Sequence, residues 1–116
     1  MSAAPFSDTP VVTEALLAEA VQRMLRAGAP LRIVLFGSHA RGTARPDSDL
    51  DLLVIEESML PRYRRPVPYL RALTGLHPVK DVVVWTPDEV ARWASVPAAF
   101  ITTALREGRV LYERPR

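Results

Sequence analysis

Two stretches decide the fold: LRIVLFGS at residues 31–38 and SDLDLLVI at residues 48–55. Leu31–Phe36 is a short apolar run carrying the β-branched Ile33 and Val34, and it reads as a strand. Asp49–Ile55 reads as a second strand. Its residues Leu50, Leu52, Leu53, Val54 and Ile55 are so nearly continuous that burial on both faces is expected beyond its mouth. Between the two, Gly37–Asp47 holds Gly, Ser, Thr, Pro and Asp and reads mostly as loop, with room for a short helical turn after Ser38.

Outward from this pair, Thr13–Ala27 places Val12, Leu16, Leu17, Ala20, Val21, Met24 and Leu25 at helical spacing, with Gly28 and Pro30 as the stop. Leu16, Leu17, Val21 and Met24 form a stripe expected in the core. Residues 56–67 are irregular and basic; Pro68–Leu73 reads as a short helix, with Gly75 past its end. Val79–Trp85 is a third strand. Thr86-Pro87-Asp88-Glu89 starts a helix, because Thr86 can cap, proline suits the first turn and Glu89 completes a capping box. That helix runs to about Trp93. Pro97 is expected to open another, to Glu107, before Gly108 and a short last strand at Val110–Tyr112. The fold class is α/β (α+β): one domain over residues 1–116, its first ten residues frayed, built on a small mixed β-sheet with helices on one side.

Composition limits the function. The 116 residues hold 48% hydrophobic and 24% charged residues, ordinary for a globular chain. Lys plus Arg is 15 against 13 for Asp plus Glu, a net charge of +2, too small to imply nucleic acid as the main partner. With no cysteine, disulfides, thiolate catalysis and Cys-held metals are excluded. The first ten residues lack the pattern of a secretory leader, and no run of apolar residues is long enough to span a membrane, so the expected location is the cytoplasm.

Three features converge on one chemistry. Gly37-Ser38 ends a strand, where glycine permits a sharp bend and close approach of a phosphate, and serine adds a hydroxyl donor. Asp49 and Asp51 alternate along a strand and so face the same side, about 6.5 Å apart. Such like charges repel unless a cation lies between them, and a hard ion such as Mg²⁺ suits their oxygens. Asp81, early in the third apolar strand, adds another acid if the strands are neighbours. Each feature has a plainer reading taken singly: a turn, a strand edge facing water, a strand-end cap. Together, with two Mg²⁺ ions bridging a nucleoside triphosphate, they would form a two-metal site for in-line phosphoryl or nucleotidyl transfer.

Gly37-Ser38-His39-Ala40-Arg41-Gly42, then Ser48-Asp49-Leu50-Asp51-Leu52, then Asp81 resemble the signature of the DNA polymerase β-like nucleotidyltransferase superfamily. The short length, Arg41-Gly42 and Ser48 make the chain similar to its minimal nucleotidyltransferase (MNT) group, over residues 31–93. The resemblance implies ATP as substrate, held by Gly37, Ser38 and Arg41, with Asp49, Asp51 and Asp81 as catalytic residues and ligands of two Mg²⁺ ions. It implies transfer of AMP to a hydroxyl. It also implies a partner, since minimal members pair as antitoxins with helical HEPN-type toxins and some of them adenylylate the partner. Two alternatives stand beside this: a non-catalytic, nucleotide-binding antitoxin acting by occlusion, and a transferase for a small molecule or RNA.

The remaining candidates weigh toward structure. His39 reads as a loop or helix-surface residue rather than a base, His77 as part of a turn, and Ser48 as a turn-holding hydroxyl. Trp85 and Trp93 read as core or edge packing, with apolar groups near Trp93 and Phe100 as the alternative partner surface. Arg62-Tyr63-Arg64-Arg65 is the densest basic run and reads first as a solvated loop, with contact to RNA or an acidic partner as the alternative.

Overall fold

Leu52, Leu53 and Val54 lie in succession on one strand and all are fully buried, which is possible only where a sheet is covered on both faces. The computed structural model describes residues 12–45, 48–76 and 79–115. The frayed N-terminus and the turn at His77 expected from the sequence lie outside these residues. Helix α1 (Glu14–Ala27) leads into strand β1 (Arg32–Phe36), a one-turn helix α2 (Ser38–Arg41) and strand β2 (Leu50–Ile55). A 3-10 turn (Arg62–Arg64) and α3 (Val67–Ala72) cross to β3 (Val79–Trp85). Then come α4 (Pro87–Trp93), α5 (Phe100–Glu107) and β4 (Arg109–Glu113).

The sheet order is β3-β2-β1-β4. β1 is antiparallel to both its neighbours, and β2 and β3 are parallel. Antiparallel β1 and β2 are joined directly through α2, while the parallel pair needs the longer crossover that α3 supplies. Alternation along each strand then divides the core in two. Ile33, Leu35, Leu50, Leu52, Val54, Val82 and Val84 meet Leu17, Ala20 and Met24 of α1, and Tyr69 and Leu73 at α3. On the other face Val34, Leu53 and Trp85 meet Ile101 and Ala104 of α5. The expected one-sided helical layer is therefore corrected. A helix as short as α5 covers the second face because Ile101 and Ala104, three residues apart, point the same way.

Local signals place most element ends. Thr13 caps α1, its hydroxyl accepting from the Leu16 N–H at 3.0 Å. The capping box at α4 forms as expected, with Glu89 N–H donating to Thr86 Oγ1 at 3.2 Å and Thr86 N–H donating to Glu89 Oε1 at 2.9 Å. Such a cap is worth about 1 kcal/mol. Pro97 does not open a helix: α5 starts at Phe100 with Ala99 as its cap residue. The chain reverses between α4 and α5, so Pro97 is consumed in a turn in which Ala99 N–H donates to Val96 O at 3.1 Å. Thr102 Oγ1 then donates to Trp93 O at 2.9 Å and ties the two helices together. Trp85 is buried, but Trp93 is half exposed and is not a core residue. Among the described residues no helix is long and apolar enough to cross a membrane.

Candidate active site

β1 ends at Phe36, and the chain leaves the sheet through Gly37 at φ +78°, a left-handed conformation that glycine adopts without strain. Gly37 O accepts from the Ala40 and Arg41 N–H groups at 3.1 Å, which closes the turn of α2. The missing side chain matters as much as the dihedral. A Cβ placed on Gly37 would stand 2.7 Å from Asp51 Oδ2, so the Asp51 carboxylate lies directly over the glycine.

The ladders fix which acids meet. Asp51 lies across from Phe36 in the β1–β2 pair and across from Asp81 in the β2–β3 pair. Residues directly opposite share a face. Asp51 and Asp81 therefore share the face of Phe36 and Leu53, which is the side that α5 covers. The β2–β3 register shifts between Leu50 and Asp51, and this irregularity sets Asp81 rather than Lys80 opposite Asp51. Bulges of this kind re-aim side chains near functional sites. Asp49 lies just before β2 and is exposed, so the aspartates of Asp49-Leu50-Asp51 straddle the strand's first residue.

These carboxylates are hard oxygen donors of the kind Mg²⁺ prefers, and in donor type the set fits the ion. In position the ladder joins Asp51 with Asp81. Among the described residues no three acidic, histidine or cysteine side chains are gathered into a formed metal cluster.

Around the acids the loop is stapled to the fold. His39 Nε2–H donates to Ser48 O at 2.9 Å, bridging α2 to the residue before Asp49. Ser48 Oγ accepts from the Arg45 N–H at 2.8 Å, which is the turn-holding role expected of it. Ser38, half-buried, opens α2 directly after Gly37, and exposed Arg41 closes it.

Arg41 also borders a feature the sequence reading missed. A cavity of about 350 Å³ lies beside Gly37, between the end of β1 and α5, lined by Phe36, Gly37, Arg41, Phe100, Thr103 and Glu107. Phe100 packs edge-on against Phe36 with ring centroids 5.3 Å apart, and tilted against Trp85 at 6.2 Å. The spacing of Phe100, Thr103 and Glu107 along one helical face was the available signal.

The basic run is corrected in part. Arg65 is nearly buried and donates to both carboxylate oxygens of Glu89, to Val84 O and to Leu60 O. Arg62 stacks over Trp85, 4.2 Å from the ring centroid, and reaches Glu89 at 3.5 Å. Arg65, first, and the Thr86 N–H hold the Glu89 carboxyl down to about 2. A carboxylate below recruits these cations, so Arg65 leaves the solvated loop, while Arg62, Tyr63 and Arg64 stay exposed.

A strand ending in Gly-Ser, followed by acids on two adjacent strands of a mixed sheet, defines the nucleotidyltransferase class. The chain belongs to that family: the nucleotidyltransferase domain matches residues 15–111. The minimal, polymerase β-like type is consistent with this match. Among solved structures, the chain is similar to a protein assigned as a nucleotidyltransferase from Sulfolobus solfataricus, at 22% identity and a TM-score of 0.59. That likeness covers 84% of this chain and 78% of the other. It is also similar to a chain of a toxin–antitoxin structure with AMP-PNP, at 19% identity and a TM-score of 0.57, over 84% of this chain and 73% of the other. At these identities the likeness concerns the fold. No protein of curated function matches the chain in sequence.

Proposed function

We propose that this domain transfers AMP from ATP to a hydroxyl group of a partner protein, as the antitoxin of a HEPN-type toxin–antitoxin pair. The observation that carries the reading is Asp51, set over Gly37 and directly across from Asp81. Paired carboxylates on one face, beside a glycine that keeps the surface open, suit an incoming triphosphate that brings divalent cations with it. The AMP-PNP in the toxin–antitoxin neighbour supports ATP as the nucleotide and a toxin as the partner.

In this mechanism Asp49, Asp51 and Asp81 would hold Mg²⁺, which supplies charge neutralisation for the phosphates when bound. Gly37 admits the triphosphate to the backbone, and the Ser38 hydroxyl donates to a phosphate oxygen. Arg41 faces the same cavity and offers a cation to the phosphates. The acceptor hydroxyl oxygen bonds to the α-phosphorus, the bond from that phosphorus to the bridging oxygen breaks, and pyrophosphate departs. Asp81, on its own strand and exposed, is the acid best placed to face the acceptor hydroxyl and ease loss of its proton. The reading takes the cytoplasm, where ATP and a toxin are both at hand, as the place of work.

The test is co-expression with the product of the adjacent reading frame, followed by incubation with α-labelled ATP and Mg²⁺. Label on a tyrosine, serine or threonine of that protein, lost in Asp51→Asn, is the expected result. A pair that co-purifies and never takes label points to neutralisation by occlusion. Label on RNA or a small molecule keeps the transfer chemistry and removes the protein acceptor.

A further inference from the structure

The Gly37 turn and the acids leave one neighbouring feature unexplained, the cavity between β1 and α5. It abuts the place proposed for the phosphates, sharing Gly37 and Arg41 with it. Its volume of about 350 Å³ falls at the small end of ligand pockets, which run from roughly 300 to 1,000 Å³. One wall is aromatic: Phe36 and half-exposed Phe100 are in edge contact, with Trp85 tilted against Phe100. The α5 side adds polar groups, Thr103 and, one helical turn on, Glu107. An apolar slot with an aromatic ring and a polar edge suits a planar heterocycle, which stacks through its face and hydrogen-bonds through its edge.

We propose that this cavity is the nucleobase pocket, in which Phe100 supplies the stacking surface and Glu107 selects bases that carry an exocyclic amino group. The inference rests on the proposed use of a nucleoside triphosphate and adds to it the residues that read the base. Glu107 is acceptor-only when ionised. It meets Arg106, the adjacent residue, at 3.6 Å, through one carboxylate oxygen, which leaves acceptor capacity for a ligand. Adenine and cytosine present an amino group on the pairing edge, and uracil presents a carbonyl oxygen at the corresponding place. A carboxylate accepts from the first and repels the second. Thr103, able to donate or accept, tolerates either.

Titration calorimetry tests this on the full chain with Mg²⁺, using ATP, CTP, UTP and inorganic tripolyphosphate as separate probes. Thr103→Trp fills the cavity, and Phe100→Ala removes the ring from a half-exposed position that should tolerate truncation. Both should weaken ATP binding about tenfold or more and leave tripolyphosphate unchanged, while Phe100→Trp should bind ATP as the parent does. In the parent chain UTP should bind several-fold more weakly than ATP or CTP, and Glu107→Gln should narrow that gap. Unchanged ATP affinity in folded Thr103→Trp and Phe100→Ala overturns the pocket while the transfer reading stands. Loss of partner binding alongside unchanged ATP affinity would give the cavity to the partner instead. UTP binding equal to that of ATP overturns the role of Glu107. A parent chain that binds none of the nucleotides overturns both readings.

Discussion

Asp51 stands directly across from Asp81 because the β2–β3 register shifts by a residue after Leu50. With an unbroken register, the pairing of Leu50 with Val79 would set Asp51 across from position 80 instead. The fold instead sets two like charges directly across from each other, and such charges repel across a ladder.

Asp81→Asn should therefore stabilise the metal-free chain by about 0.2–1 kcal/mol, since like charges directly opposite destabilise a ladder by that order. Added Mg²⁺ should raise the melting temperature of the parent chain and raise that of the variant less. Thermal unfolding with and without Mg²⁺ reads both effects. A variant less stable than its parent in chelator would show that Asp81 serves the sheet rather than a ligand. Transfer to the acceptor should slow strongly in the same variant, while ATP affinity stays within a few-fold.

Gly37→Ala meets two obstacles at once. The backbone at φ +78° strains any residue with a side chain, and the added methyl group falls 2.7 Å from Asp51 Oδ2. A loss of about 1–3 kcal/mol in stability is expected from the strain alone, together with a displaced Asp51 carboxylate and reduced transfer. Ser38→Ala, with no strain, should fold as the parent does. It should bind ATP roughly 10- to 150-fold more weakly, the size of one lost hydrogen bond to an ionised group. Denaturant titration and calorimetry separate the two variants, and normal ATP affinity in Ser38→Ala would reduce the motif to a turn.

Much of this was legible from local rules, and the reasons for the misses are physical. The helix over Glu14–Ala27, the Thr86–Glu89 capping box and the strand at Val79–Trp85 depend on neighbours a few residues away, so the sequence carries them. The run Leu52-Leu53-Val54 already announced a strand buried on both faces, although the layer count drawn from it came out one-sided. The register shift was not legible, because it is settled by how two strands 30 residues apart dock. Nor was the fate of Arg65: an arginine in a loop reads as solvated unless the carboxylate beneath it, Glu89, is known to be there. The cavity at α5 was legible only in part: spacing puts Phe100, Thr103 and Glu107 on one helical face, but the packing of that face beside the end of β1 is tertiary.

Glu89 gives the pH dependence. Arg65 and the Thr86 N–H lower its carboxyl from 4.5 to about 2 in the folded chain. The folded state thus holds the proton less tightly than the unfolded one, and stability rises with pH across this range. The contribution is complete above pH 4.5 and lost as pH falls toward 2. Glu89→Gln should remove about 1–3 kcal/mol at neutral pH and flatten the acid limb of the stability curve. Urea titrations between pH 2 and 7 show whether the acid limb of the parent exceeds that of the variant.

His39 offers the sharpest distinction between a proton-transferring residue and a positioning one. Its Nε2–H donates to Ser48 O at 2.9 Å, so the imidazole anchors the segment that carries Asp49 into the site. If that anchor is its role, an amide donor of similar reach should replace it, and the loss on removal should be that of one net hydrogen bond, about 0.5–1.5 kcal/mol. His39→Ala should then lower Mg²⁺-dependent ATP affinity by roughly 2- to 13-fold through a looser Asp49, and His39→Gln should restore most of it. The pH profile of transfer should keep its shape in His39→Gln, because no group of the reaction that exchanges a proton has been removed. A general base at this position behaves otherwise: both variants would lose transfer by orders of magnitude, the glutamine would rescue nothing, and one limb of the pH profile would vanish. The short bond to a main-chain carbonyl favours the anchor, since it commits the Nε2 proton to the loop and withholds it from substrate.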